Sequence, residues 1–454
     1  MMNRPVPTWF SLVLVGVLAS VLAWKTLNPV YDPDTWWHLK VGQWVTDHRA
    51  VPETDPFSRM SRETPTKWVA YSWLFEVVLW TAETPHFGGI YLVRDVLVGM
   101  STGALVGFVL WRIGPTVLGL TVAAAATATL LPLTAERPWH VTIAFTAVTV
   151  AAVTKLREGT SIRRMAWLPI MYVIWANVHI QFVLGWGVLG LACLFPGSAK
   201  RARVILLTLA CVLAVLVNPY HVRLFGVIWE YATQGQALRH VSELQSPEWT
   251  SPVLWAVVGL GLLALSQTMR TRPVDFFSLA MLAAGAFFAL RMQRDLWFGV
   301  LAVATVLGGK SIDPRPTRWA VLLCVAIFAV AAFLPRRNTT SANERNYPVR
   351  AAEFVRRLHP PGPLFNHFNW GGYFIAELPE YPVSIDGRTN LYGNERVLQN
   401  YNALTGKPGW EKDPDLVSAK LAILPTDCPL AGLMRASEEW TVAYEDDTAV
   451  VFQR

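Results

Sequence analysis

Two aspartates separated by one proline are the residues with the clearest chemical potential. Asp32-Pro33-Asp34 follows an apolar segment and directly precedes Thr35. Carboxylates this close repel each other unless a cation or a base function keeps them there. They can therefore serve as a general base and as oxygen ligands of a hard divalent cation. The structural alternative for Asp34 is to cap a helix that begins at Thr35.

Guanidinium and imidazole groups lie at the ends of apolar segments farther along the chain. Arg137, Arg291 and Arg294 suit bidentate contact with a phosphate, and His179 and His221 could assist them. Ionisable groups at membrane depth are costly and usually line a cavity or pathway, so we predict a polar pocket that binds phosphate. The alternative for each arginine is a side chain that extends to the lipid headgroups, and at Arg291 the two are equally favoured.

Trp37 and His38, directly after the aspartates, are further candidates for substrate contact. A Trp-Trp pair such as Trp36-Trp37 is also typical of an anchor at the membrane interface. Single histidines, likewise, are often structural groups with satisfied hydrogen bonds. Both roles remain open from the sequence.

The elements that must position these residues follow from an uneven distribution of charge. The chain is 53% hydrophobic and 16% charged, whereas soluble proteins carry about a quarter charged residues. Residues 1–335 contain 26 Lys+Arg and 17 Asp+Glu, and residues 336–454 contain 13 and 15. We predict a polytopic α-helical membrane domain over 1–335, with 29–87 as its first outer loop, and a small soluble α/β domain over 336–454.

The same composition excludes several classes of protein. The isoelectric point of 9.3 is explained by basic loops of a membrane protein, so no nucleic-acid partner is expected. The four cysteines lack the spacing of a zinc or redox site and are expected to be packing residues. A disulfide scaffold, a coiled coil and a disordered chain are excluded as well.

About eleven apolar segments are candidates for membrane crossing, which needs roughly 17–25 residues. The first also has the basic start and apolar stretch of a signal peptide, but it ends in Trp24 and Lys25 without a small-residue cleavage pattern. The segments are 8–24, 88–110, 115–133, 139–154, 166–178, 180–197, 204–217, 252–267, 274–290, 295–309 and 318–335.

Orientation follows from the basic residues of the short loops, which remain cytoplasmic in membrane proteins. One set of loops, which includes the N-terminus, carries 14 Lys and Arg, and the opposite set carries five. We therefore predict a cytoplasmic N-terminus and an extracytoplasmic 336–454 domain in the cell membrane. This parity requires the segment 68–82, which contains Glu76, to lie in the membrane interface instead of crossing.

Taken together, these motifs resemble the GT-C superfamily of integral-membrane glycosyltransferases, which includes protein mannosyltransferases and aminoarabinose transferases of lipid A. The resemblance covers most of the chain. It rests on Asp32-Pro33-Asp34 with Trp36-Trp37-His38-Leu39, Gly42, Asp55-Pro56-Phe57-Ser58, the WANVH, NPYH and SPEW elements, the segment Phe365–Tyr373, and Ile385-Asp386-Gly387-Arg388.

The resemblance implies transfer of a sugar from a polyprenyl-phosphate carrier to an acceptor glycan, lipid or protein on the outer side of the membrane. It implies Asp32 as the preferred general base, with Asp34 orienting the acceptor or, together with Asp32, holding Mg²⁺ or Mn²⁺. Many family members carry Asp-Glu where this chain has Asp-Pro-Asp, so the base and the metal dependence stay open. A transporter or flippase of a lipid-linked amphiphile and a non-catalytic membrane scaffold are the alternatives, although no internal repeat supports a transporter.

In the 336–454 domain, hydrophobic patterning predicts alternating strands and helices. The strands are expected at 363–366, 383–385 and 421–424 and in a terminal hairpin of 440–444 and 449–452. Asp386 and Arg388 follow the second of these strands, where they are candidates for contact with an acceptor sugar. A structural turn closed by an Asp-Arg salt bridge is favoured at least as strongly.

Overall fold

The computed structural model describes residues 5–29, 32–83, 89–233, 235, 242–309, 314–334 and 346–454. The chain divides into two compact units. The first, here called the helical unit, comprises Met1–Leu27, Gly88–His221 and Val241–Pro335, and the second, the mixed unit, comprises Asn28–Phe87, Val222–His240 and Arg336–Arg454. The first-loop segment therefore packs in the same unit as the C-terminal segment. Of the basic loop residues, Arg4, Arg239 and Lys310 lie outside the described residues.

Every predicted membrane segment contains an α-helix of the helical unit. Four helices are long and apolar enough to cross a membrane by length and composition: Thr8–Thr26, Ile90–Ile113, Trp139–Arg157 and Pro252–Arg270. The number of crossings thus remains a prediction. The other helices described in this unit are Val117–Leu130, Leu168–Val178, Val183–Leu194, Arg201–Ala214, Phe276–Arg291, Leu296–Leu307 and Pro314–Ala332.

Two of these helices pack closely because glycines line the contact. A side-chain carbon at Gly99 would come within 2.9 Å of the Phe328 Cβ atom, and one at Gly107 would come within 2.6 Å of Val321. Small residues at four-residue spacing let helix backbones approach each other in membrane proteins. The Ile90–Ile113 helix therefore packs directly on Pro314–Ala332.

The mixed unit combines short helices with a four-stranded sheet. The strands are β1 (Leu364–Asn366), β2 (Leu421–Pro425), β3 (Thr441–Glu445) and β4 (Ala449–Gln453), in the order β1-β2-β4-β3. β1 pairs with β2 in parallel, and the other pairs are antiparallel. The helices described here are Thr35–His48, Arg59–Glu63, Trp73–Glu83, Arg223–Thr233, Val349–Leu358, Gly371–Glu377, Thr389–Leu404, Pro414–Ser418 and Pro429–Arg435.

One predicted strand, 383–385, is wrong. Val383 forms only an isolated parallel bridge with Ser58, and the Arg59 backbone N–H donates to the Val383 carbonyl. The apolar run is buried against the first-loop segment, and burial alone explains its strand-like pattern. This attachment joins the Asp55–Ser58 motif to the segment that carries Asp386 and Arg388.

The predicted interfacial segment forms the Trp73–Glu83 helix, which packs on Thr35–His48. The two helices cross at Gly42, where an added side-chain carbon would overlap the Glu76 carbonyl oxygen. Gly42 is thus required for the close approach. The crossing fixes the helix that begins directly after the two aspartates.

Candidate functional site

The two aspartates form a tight turn at the start of the Thr35–His48 helix. The Asp34 backbone N–H donates to Asp32 Oδ1 at 3.0 Å, and the Thr35 N–H donates to the Asp32 carbonyl at 3.2 Å. Asp34 occupies the N-cap position, yet its side chain makes no capping hydrogen bond. The structure therefore assigns the local turn to Asp32 and leaves the Asp34 carboxylate out of helix capping.

Glycines of the C-terminal segment form the surface against which this turn packs. A side-chain carbon at Gly387 would overlap Asp34 Oδ1, and one at Gly372 would come within 2.5 Å of the Pro33 carbonyl oxygen. Glycine is the residue that permits such close approach of a backbone to another group. Gly372 and Gly387 thus determine where the aspartates lie.

Arg388 is the centre of a buried ionic network behind these glycines. Its Nε and one terminal nitrogen donate to Asp386 at 2.8 and 2.7 Å, and the other donates to Asp55 Oδ1 at 2.5 Å. The guanidinium also lies 4.8 Å from the centre of the Trp68 ring, and the Tyr392 hydroxyl donates to Asp386 at 2.6 Å. The predicted alternative, an Asp386–Arg388 salt bridge, is the arrangement present.

The surroundings of this network shift the pKa values of two of its groups, Asp55 and Tyr392. Burial opposes ionisation of Asp55, but the positive charge of Arg388 and a hydrogen bond from Ser58 hold the pKa of its carboxyl below the ordinary value. Burial and the negative charge of Asp386 raise the pKa of Tyr392 well above its ordinary value, so the phenol remains a donor. Asp386 and Arg388 are both buried, so a structural role replaces the predicted contact with an acceptor.

Trp37 and His38 also point into the interior of the mixed unit. Their rings lie 3.6 Å apart, and His38 Nδ1 lies 3.0 Å from Glu76 Oε1, with both side chains buried. Burial raises the pKa of Glu76 well above its ordinary value, against the opposing charge of Arg388. Predicted as substrate contacts, Trp37 and His38 instead hold the helix that carries Asp34.

Two of the three predicted arginines converge in the helical unit. The guanidinium carbons of Arg137 and Arg294 lie 5.4 and 5.7 Å from the centre of the same ring, that of Trp139. Arg294 pairs with Glu243 at 3.1 Å through one terminal nitrogen, whereas its buried Nε has no hydrogen-bond partner among the described residues. Such an incompletely satisfied guanidinium retains donors for a phosphate.

His179 lies beside these two arginines. It is buried, its Nδ1 lies 2.7 Å from the Thr142 hydroxyl, and the positive charges of Arg294 and Arg137 act on it. Trp175 donates its indole N–H to the same hydroxyl at 3.0 Å. The Thr142 contact therefore fixes the imidazole beside the two arginines.

The remaining two predicted residues of this group have different surroundings. Arg291 is exposed, with its guanidinium carbon 5.7 Å from the centre of the Phe287 ring, which agrees with an extended side chain at the surface. His221 is exposed as well and its Nδ1 contacts the Leu216 carbonyl at 3.1 Å, so its recorded side-chain bond is local.

Several residues that form these sites could not be assigned a role from their residue types alone. Asp55 lies in a quoted motif, but its partner is 333 positions away in sequence. Trp139 follows Arg137 closely, and an aromatic two residues from an arginine is the signal that would have indicated their stacking. Glu76 was recognisable as a charge in an apolar segment, although its partner His38 was not.

A divalent cation is the cofactor that the acidic pair suggests. Among the described residues, no group of three or more His, Cys, Asp or Glu side chains is arranged to hold a metal ion. Mg²⁺ commonly binds through one or two carboxylates and completes its shell with water and substrate phosphate. Asp32 and Asp34 therefore fit as a partial ligand set.

Comparison with known structures establishes the fold. The structure of ArnT from Cupriavidus metallidurans bound to undecaprenyl phosphate matches with a TM-score of 0.51 and 14% identity, over 98% of each chain. The Archaeoglobus fulgidus oligosaccharyltransferase in complex with Zn and sulfate matches with a TM-score of 0.50 and 11% identity, over 91% of this chain and 68% of that one. No protein-family model and no curated protein matches the sequence. The chain therefore shares the fold of these two proteins.

Proposed function

We propose that this protein is a membrane glycosyltransferase that moves a sugar from a polyprenyl-phosphate carrier to an acceptor hydroxyl on the extracytoplasmic side. The observation that carries the proposal is an acidic pair at a helix start, whose Asp34 carboxylate does not cap that helix, in a chain with a glycosyltransferase fold. The structural neighbour that holds undecaprenyl phosphate supports the class of carrier.

In the proposed reaction, Asp32 accepts the proton of the acceptor hydroxyl as the oxygen attacks the anomeric carbon. The bond from that carbon to the phosphate oxygen breaks, and its electron pair leaves with the polyprenyl phosphate. Asp34, which packs against Gly387, orients the acceptor. General base catalysis of this kind contributes about 10²–10⁴-fold to a rate.

The two clustered arginines of the helical unit are the candidates for contact with the phosphate of the carrier. Arg294 has a buried Nε without a partner among the described residues, and Arg137 contacts the same Trp139 ring. Fixed guanidinium groups stabilise the negative charge that develops on a departing phosphate. A divalent cation bound by Asp32 and Asp34 would supply further charge stabilisation.

The experiment incubates purified protein in lipid nanodiscs with a panel of polyprenyl-phosphate sugars and a cell-envelope extract as the source of acceptor. We expect carrier-dependent sugar transfer, and about 10²–10⁴-fold slower transfer by Asp32→Asn. Asp447→Asn is the matched control, because Asp447 is exposed and makes no recorded bond to any described residue. Undiminished transfer by Asp32→Asn would show that Asp32 is not the general base. If the wild type transfers no sugar, the proposed function is rejected, and the membrane scaffold and the transporter are the remaining hypotheses.

A further inference from the structure

The mixed unit contains a cavity of about 210 Å³ that neither the acidic turn nor the ionic network uses. It lies along the C-terminal half of the Thr35–His48 helix, and the segments around Phe57 and Tyr381 complete its wall. Lys40, Gln43, Trp44, Asp47 and His48 all line it. These positions recur at three- and four-residue spacing, so one face of the helix is turned towards the cavity.

Flat aromatic rings form the apolar part of this wall. Trp44 is half-buried and stacked on His48, with ring centres 4.1 Å apart and planes inclined by 12°. The Tyr381 hydroxyl donates to the Pro360 carbonyl at 2.7 Å, which fixes that ring. Rings held in this way provide a contact surface that loses little side-chain entropy when a ligand binds.

Hydrogen-bonding side chains surround these rings. The Lys40 ammonium donates to Gln43 Oε1 at 3.0 Å, which leaves the Gln43 amide protons and the remaining ammonium protons for a ligand. The Asp47 carboxylate and the Trp44 indole N–H make no recorded hydrogen bond with any residue of the described ranges. Donors and an acceptor are therefore available within one turn of each other.

Such a cavity suits a sugar better than an ion or an apolar ligand. A pyranose presents a flat C–H face and a ring of hydroxyls, each of which both donates and accepts hydrogen bonds. The cations Lys40 and Arg62 line the cavity together with the carboxylate of Asp47, so it presents charges of both signs to a ligand. Its volume is below the ~300–1,000 Å³ of pockets for drug-sized ligands and matches a single sugar ring.

We propose that this cavity binds one sugar residue of an oligosaccharide acceptor, with the ring stacked on Trp44 and its hydroxyls bonded to Gln43 and Asp47. The acceptor assignment rests on the proposed function. Ten residues separate Asp34 from Trp44, which corresponds to about 15 Å along the helix. A single sugar cannot span that distance. The cavity therefore binds a sugar residue of the acceptor other than the one whose hydroxyl reacts.

Saturation-transfer NMR on the full-length protein tests this directly. The probes are glucose, galactose, mannose, N-acetylglucosamine and their β-linked disaccharides, because the natural sugar is unknown. Phosphatidylcholine nanodiscs are required, since alkyl-glycoside detergents present the same chemistry as the ligand. We expect saturation transfer to at least one sugar, with affinity lowered about tenfold by Trp44→Ala and largely kept by Trp44→Phe.

Two controls separate this site from the catalytic one. Trp229→Ala removes a 71% exposed tryptophan of the same unit and should bind as the wild type does. Asp32→Asn should lose transfer but keep the sugar signal. Equal binding by Trp44→Ala and the wild type, or no signal from any sugar of the panel, would overturn the inference. Trp44-dependent binding in a protein that transfers no sugar would reject the proposed function and leave the sugar site standing.

Discussion

Arg388 in the mixed unit and Arg294 in the helical unit are both largely shielded from solvent, but their hydrogen bonding differs. All three guanidinium nitrogens of Arg388 donate to Asp55 or Asp386. Arg294 makes one recorded ion pair, with Glu243, and its Nε has no partner in the described part of the chain. Because each nitrogen of Arg388 already donates to a carboxylate, this pairing indicates a structural role.

The contrast also explains how a fully paired arginine can affect a reaction that it does not touch. Asp386 and Arg388 flank Gly387, whose backbone limits the position of the Asp34 carboxylate. Rigidity in the network is therefore transmitted to the acidic turn by contact. Arg294, by comparison, has an Nε donor without a partner in the described part of the chain, and an unsatisfied buried donor costs about 1–3 kcal/mol.

The largest expected effect is on folding. Arg388→Met leaves the carboxylates of Asp55 and Asp386 buried without their cation, which should cost about 3–5 kcal/mol of unfolding free energy. Arg435→Met is the matched control: its pair with Glu445 is partly exposed, so we expect about 0–1 kcal/mol. Thermal unfolding in nanodiscs measures both. Equal destabilisation by the two variants would contradict the structural role of the network.

Gly387→Ala tests whether the segment that carries the buried ionic network determines the position of the Asp34 carboxylate. The added methyl group overlaps Asp34 Oδ1 and displaces it, and a displacement of about 1 Å can slow a reaction by ~100-fold. We expect that loss in kcat with little change in the unfolding temperature. Gly432→Ala, where an added carbon meets nothing within 4 Å, should leave both unchanged. A normal kcat in Gly387→Ala would show that the position of Asp34 is unimportant.

Arg294→Gln and Arg291→Gln compare a clustered arginine with an exposed one. Removal of one charge-assisted contact with phosphate costs about 1.5–3 kcal/mol, so Arg294→Gln should lower kcat/KM for the carrier-linked donor by ~10–100-fold. Arg291→Gln should remain within about threefold of the wild type, because its side chain is exposed. Steady-state kinetics with varied donor distinguishes them, and the reverse order would reject the assignment.

A smaller effect is expected from the pH dependence of stability. Burial lowers the pKa of His367 to about 4, against the opposing charge of Asp427. The unfolded chain then binds a proton near pH 6.5 and the folded chain does not, so stability is lost as the pH falls from about 6.5 to about 4. His367→Gln should flatten the unfolding profile in that window, and His359→Asn at an exposed site should not. An unchanged profile in His367→Gln would assign the dependence to another group.

Several parts of the fold were predictable because they depend on local composition. The apolar segments each contain a helix, and the helix after Asp34 begins at Thr35. Strands β1 and β2 and the terminal hairpin also lie at their predicted positions. The strand predicted at 383–385 is wrong for a physical reason. An apolar run indicates that a segment is buried, but not which segment it packs against.

The site was less predictable because its contacts join distant parts of the chain. Arg137, Arg294 and His179 were recognisable by residue type, and their convergence on one side was expected. The burial of Trp37 and His38 was not, since it depends on the Trp73–Glu83 helix and on Glu76. Asp55 and Arg388 are 333 positions apart, a separation at which sequence spacing carries no information on contact.

The sequence by itself determined the chemical inventory: apolar helices, an acidic pair beside one of them, and guanidinium groups at the ends of others. Residue type and periodicity encode these features, because hydrophobicity and charge are properties of single side chains and short segments. Only the tertiary structure decided which charges are neutralised and which retain donors. Neutralisation depends on distances of about 3 Å between groups from distant segments, and those distances exist only once the chain has packed.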